Sequence, residues 1–158
     1  MHTILNCIMT LLLLACSISN TSGQTPRRFG DVQNIGDRTV SGEASEPSQL
    51  ISIEKELSMG VSIASDFEKS VRLVSDPVAD DFINRVGRNL AKHSDAQMPC
   101  YIKFIDSGKM DVLTLLGGHI YLTSGLVKAA ENEAELAGAV AYGVAHVAAR
   151  HTVRLVNN

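Results

Sequence analysis

Tryptophan is missing from this chain, and the other aromatic residues are scarce, at 4% of 158 residues. So few rings make a poor platform on which successive bases could stack, which argues against single-stranded nucleic acid as a ligand. An excess of positive charge is missing too: 14 Lys and Arg face 17 Asp and Glu, a net charge of −3. No basic stripe is left to meet phosphates, so the electrostatic footprint of a nucleic-acid binder is absent. Cysteine is nearly confined to the N-terminus, where Cys7 and Cys16 lie, and Cys100 stands alone in the remainder. A lone thiol makes no intrachain disulfide. As a nucleophile it would need a histidine positioned as base. Pro99-Cys100-Tyr101 reads instead as the packed opening of a strand. The last absence is a long hydrophobic run: Ile8–Ala15, IMTLLLLA, is too short to cross a bilayer.

That short run has the length of a signal-peptide core, although Met1–Cys7 before it carries His2 and no Lys or Arg. Leu13-Leu14-Ala15-Cys16 has the form of a bacterial lipobox, in which Cys16 would be lipidated and become the mature N-terminus. Residues 1–16 are therefore expected to target the chain for export, to the bacterial periplasm or to a membrane as a lipoprotein. Residues 17–47 are rich in Ser, Thr, Asn, Gly, Gln and Asp with almost no apolar periodicity, the composition of a flexible polar linker. Residues 48–158 form one domain's length of patterned sequence, with no internal repeat.

Within that domain, Leu50, Ile53, Leu57, Val61, Ala64 and Val71 recur at helical spacing. Asp76-Pro77 then restarts the chain with a capping side chain and a proline suited to a first helical position. Val78, Phe82, Val86 and Leu90 predict a second amphipathic helix. Tyr101–Asp106 reads as a strand. Val112–Leu116 and Ile120–Thr123 flank Gly117-Gly118, a two-residue hairpin signal. A short helix is expected over 124–130, with Thr123 and Ser124 as hairpin-exit and capping residues. Asn132 and Glu135 stand three apart, as in a capping box, before a long helix striped by Leu136, Val140, Val144 and Val147. Glu131, Glu133 and Glu135 at its start suit the helix dipole rather than an acid–base pair. Helices followed by strands followed by a helix predict an α+β domain.

Four segments in order carry a family likeness: Glu54–Gly60, EKELSMG; Asp76–Leu90, DPVADDFINRVGRNL; Gly117–Leu126, GGHIYLTSGL; and Glu131–His151, ENEAELAGAVAYGVAHVAARH. Together they resemble the HtpX/BepA-type zinc metallopeptidases over about residues 51–153. The resemblance implies the N-terminal portion of a zincin-like metallopeptidase domain: two amphipathic helices, a small β-sheet with a hairpin, then a long motif helix. It further implies a metal-dependent endopeptidase ancestry and zinc as cofactor. Working members carry H-E-x-x-H on this helix, two His on one face holding zinc and a Glu between them as general base. Here the five positions read Tyr142-Gly143-Val144-Ala145-His146. Only His146 matches a ligand, Tyr142 occupies the first ligand position and Gly143 that of the base. The family's third ligand, a downstream Glu, would fall beyond Asn158, so the chain reads as a degenerate, C-terminally truncated member. Asp111–Gly118, DVLTLLGG, also departs from the family's N-A-F-A-L-P-G-G.

Catalytic zinc normally takes three protein ligands and an open position. Tyrosine is a poor ligand because it must bind as the phenolate, with an ordinary pKa near 10, and glycine takes no proton. A retained role in helix packing is the favoured reading of His146. His151, five residues on, falls roughly 140° away on a continuous helix and is not expected to share its face. A site rebuilt from His146, His119 and a carboxylate would require the hairpin strand to approach the helix. His93 and His151 read as helix-end residues whose positive charge suits the dipole. The leading expectation is an exported, inactive protease-like domain that binds a protein or peptide partner, with no nucleic acid, and meets the membrane through a lipid anchor. The alternatives are an active metalloendopeptidase completed by a partner chain or a missing C-terminal segment, and a non-functional gene fragment.

Overall fold

The computed structural model describes residues 35–36 and 51–157, within the compact unit Val32–Asn158. The targeting segment with its Cys16, and all of the polar tract except Ile35-Gly36, lie outside the described residues. Ile35-Gly36 forms a turn whose Gly36 N–H donates to the buried Asp95 carboxylate at 2.8 Å, so the polar tract touches the domain at this point.

Local signals start most of the elements. Helix α1 is Ile53–Ser70, begun by Ser52, whose hydroxyl accepts from the Lys55 N–H at 3.2 Å. Strand β1, Leu73–Val74, was not expected. Helix α2, Pro77–Lys92, is capped by Asp76, which accepts from the N–H groups of Val78 and Ala79. Strands β2 (Tyr101–Ile105), β3 (Val112–Thr114) and β4 (His119–Thr123) follow. Helix α3, Ser124–Ala129, is capped by Thr123. Helix α4 is Glu133–Ala148, and its expected capping box forms. Asn132 Oδ1 accepts from the Glu135 N–H at 3.0 Å, and the Glu135 carboxylate reaches back to the Glu131 N–H at 2.9 Å. Helix α5, His151–Asn157, is separate from α4, where the sequence pattern predicted one continuous helix.

The four strands form one sheet in the order β1-β2-β4-β3. The central pair β2–β4 is parallel, and β1 and β3 are antiparallel additions at the edges. β3 and β4 make the expected hairpin, but the connection is a 3₁₀ turn over Leu116–Gly118 rather than a bare two-residue loop. Gly117 and Gly118 both hold positive φ, 72° and 79°, a region that suits glycine.

Side chains alternate across the sheet. Ile102, Phe104, Ile120 and Leu122 pack with Ile83 of α2 and Val140, Val144 and Val147 of α4 to form the main core. The opposite face receives α1, with Phe67 edge-on to Tyr121 at 4.8 Å and the Tyr121 hydroxyl donating to Glu68 at 2.8 Å. Asn84 of α2 pairs with both backbone groups of Ile102, donating to its carbonyl at 2.9 Å and accepting from its N–H at 3.0 Å. It takes the place of a neighbouring strand where β1 is too short to reach. The α+β architecture matches expectation. The stripe assigned to α2 holds in part: Val86 and Leu90 pack against the core, but Val78 is 80% exposed, and the fully buried positions are Ile83 and Gly87. Cys100 is buried in the core, and burial pushes its thiol up to about 11, as a packed structural thiol requires.

Candidate functional site

A cleft of about 500 Å³ opens where β3, α4 and α5 meet. Strand β3 contributes Val112 and Thr114, helix α4 Tyr142 and His146, and helix α5 His151 and Arg154. Tyr142 and His146 are one helical turn apart, and their rings meet edge to face at 4.5 Å between centroids. Tyr142 is exposed and His146 half-buried.

His151 is also here, which corrects the expectation from helical geometry. Helix α4 stops at Ala148, Ala149 caps it, and Arg150 takes a left-handed φ of 50°. The chain turns back, and the His151 ring comes to 4.9 Å from that of His146. Their Nδ1 atoms lie 3.0 Å apart, within hydrogen-bonding distance, with the donor set by the ring tautomers. Burial first, and then the proximity of His146 and Arg154, holds His151 below the usual histidine range. His151 thus opens a new helix instead of ending the old one. The basic group that does close α4 is Arg150, whose guanidinium turns inward to Glu56 of α1 at 2.8 and 2.6 Å and to the Ile51 carbonyl at 2.7 Å. His93 does sit at a helix end as expected, its Nδ1 2.8 Å from the Asn89 carbonyl oxygen.

The structure does not bring His119 to this cleft. Its ring stacks on Tyr101 at 5.3 Å, and it shares the sheet face of Tyr121, away from α4. Burial first, and then Lys103, lowers its pKa against the opposing pull of Glu68. Gly143, at the general-base position, is buried rather than exposed. A Cβ there would lie 2.9 Å from Ile120 Cγ2 and 3.4 Å from Val112 Cγ1. The position is therefore a packing contact with the sheet, and the helix approaches β4 closely because no side chain intervenes. Sequence reasoning missed Arg154 and His151 as cleft residues. The break that delivers them carries no Gly or Pro signal.

The donor set decides the fit to zinc. Among the described residues, no three of His, Cys, Asp and Glu gather in a metal-binding group. The cleft offers two imidazoles turned toward each other and a phenol, with no carboxylate in its lining. A catalytic zinc site needs three deprotonated or neutral protein ligands around one point. The described residues do not supply them.

Residues 77–157 match peptidase family M48, and this span is half of the chain. The protein belongs to that family of zinc-dependent metallopeptidases. Its similar relatives include the beta-barrel assembly-enhancing protease of Escherichia coli (strain K12), 27% identical over 139 residues, which are 87% of this chain and 28% of that protein. The protein of the same name from Yersinia pestis is 29% identical over 105 residues, 66% of this chain and 22% of its own length. The putative beta-barrel assembly-enhancing protease of Vibrio cholerae serotype O1 is 30% identical over 125 residues, 78% of this chain and 24% of that protein. The chain spans about a quarter of the length of these curated relatives. No helix among the described residues is long and apolar enough to cross a membrane.

Proposed function

We propose that this chain is a zincin-like domain of the cell envelope that has lost peptide hydrolysis and kept peptide binding. The observation that carries the reading is Gly143. Its position in the motif belongs to the base that activates water, and here it is filled by the contact of α4 with Ile120. Removing a general base alone typically costs about 10²–10⁴ in rate. Tyr142 in place of the first ligand removes the metal's hold as well, since a phenol binds poorly at neutral pH. What supports binding is the edge of the sheet. β3 is terminal in the strand order, and its Val112 and Thr114 line the cleft, so an extended peptide can pair with this edge once it displaces the Asp111 side chain from the Val112 N–H and the Thr152 hydroxyl from the Thr114 carbonyl. The Ile8–Ala15 run with Cys16 supports export, and likeness to proteases named for β-barrel assembly supports a place in the envelope.

The test is metal content and cleavage together. The purified chain is dialysed against trace zinc, its metal is counted by mass spectrometry, and reduced casein is offered as substrate. The expected result is well below one zinc per chain and no chelator-sensitive cleavage. Near-stoichiometric zinc with cleavage would overturn the reading in favour of a metalloendopeptidase with an unrecognised ligand set.

A further inference from the structure

We propose that the cleft between β3, α4 and α5 is a carboxylate-binding site whose receptor is the guanidinium of Arg154. This rests on the peptide-binding reading above and names the group the peptide must carry.

Arg154 Nε and Nη2 are buried and have no hydrogen-bond partner among the described residues. These two nitrogens share one edge of the guanidinium, the edge whose parallel N–H bonds match the two oxygens of a carboxylate. The group stays charged in any protein environment, and withholding partners from its buried N–H groups is costly. The chain's own treatment of a similar residue makes the contrast. Arg150 puts Nε and Nη2 onto Glu56 and Nη2 also onto the Ile51 carbonyl, a complete set. Arg154 has the same fork, and none of the described residues fills it.

Three further features suit an anion. Arg154 forms part of the wall of an open cavity of about 500 Å³. Among the described residues, no Asp or Glu lines that cavity to compete or repel. The Thr114 hydroxyl on the same wall is also buried without a partner among the described residues, so it has a donor to give to a second oxygen. The unpaired edge is sealed from solvent, so a ligand reaches it by a rotation of the long Arg154 side chain, carried on the seven-residue helix α5. Because β3 is an edge strand beside the cavity, the carboxylate arrives on an extended peptide, as its C-terminus or as an acidic side chain.

The experiment follows, by NMR in the whole labelled chain, the backbone amide signals of the cavity residues Thr114 and Thr152 in every variant, and the Arg154 Nε–H signal in the native chain. Three peptides are titrated: acetyl-trialanine with a free C-terminus, the same peptide as its C-terminal amide, and an amide-capped version with a central aspartate. Saturable shifts with either carboxylate peptide, and affinity for the plain amide about tenfold lower or worse, are expected; tenfold matches the loss of one charge-assisted hydrogen bond. The stronger of the two carboxylate peptides identifies the source. R154Q should lose the discrimination, and R154K should weaken it, because an ammonium offers no planar fork. If R154Q does not fold, R154K carries the test. Equal binding of the amide, or R154K binding as well as the native chain, would overturn the carboxylate site while leaving peptide binding intact. No binding of any peptide would overturn both.

Discussion

Arg150 shows how much of this site hangs on one residue. A left-handed φ costs an ordinary side chain roughly 1–2 kcal/mol, yet Arg150 holds φ 50° at the junction of α4 and α5. Its buried pairing with Glu56, with side chains 10% and 4% exposed, offsets that strain. Replacing Arg150 with Ala should therefore destabilise the domain by about 3–5 kcal/mol, because it leaves the Glu56 carboxylate buried and unpaired. Glycine at the same position should cost about 1 kcal/mol less than Ala, since it relieves the backbone. Urea unfolding of both variants checks the order. If alanine and glycine cost the same, the left-handed turn carries no strain. Glu68 sets a pH dependence on the other face of the sheet. Desolvation raises its pKa, but the Lys103 and Tyr121 hydrogen bonds and the Lys103 charge outweigh it, so the folded value is lowered. A lowered carboxyl contributes stability that is present above its unfolded value, near 4.3, and is lost as pH falls through the folded value. Thermal melts of E68Q should accordingly show a flatter acid limb than the native chain. The capping box at Asn132 was legible because its partners stand three residues apart. The Glu56–Arg150 pair was not, because 94 residues separate its members and no local pattern joins them.

At the scale of elements, α4 is placed by what it lacks. Its stripe of Val140, Val144 and Val147 was readable from spacing and is buried as expected. Its end was not readable. Helix stops are signalled by Gly, Asn or Pro, and Ala148-Ala149-Arg150 has none; the stop coincides instead with the buried tertiary ion pair of Arg150. Two glycines on the helix separate propensity from packing. Gly138 faces open space, so G138A should stabilise the domain by roughly 0.5–1 kcal/mol through helix propensity alone. G143A gains the same propensity but drives a methyl to 2.9 Å from Ile120 Cγ2. Overpacking of that kind costs about 1–3 kcal/mol, so G143A should be net neutral to destabilising. A G143A variant as stable as G138A would mean that Ile120 yields freely and that the close approach of α4 to β4 is not a constraint.

The whole molecule bears on what restoring the H-E-x-x-H motif would do. The double variant Y142H/G143E rebuilds H-E-x-x-H in sequence, but the fold stands in its way at two places. The Glu side chain would start against Ile120 and Val112, which the sheet holds in the core. The next histidine along the chain, His151, is turned by the Arg150 break so that its Nδ1 meets that of His146. His119 sits on the opposite face of the sheet, stacked on Tyr101. Two restored positions thus give two histidines and a crowded base, with no third ligand among the described residues. The expected outcome is zinc below one per chain and no cleavage of casein, in the double variant and also when Ile120→Ala opens room beside the new Glu. Metal analysis and a chelator-controlled cleavage assay on both variants decide it. Stoichiometric zinc and cleavage in the triple variant alone would mean that the contact with Ile120 was the barrier, so that the packing of α4 on β4, more than the identities at 142 and 143, decides whether this helix can hold a metal.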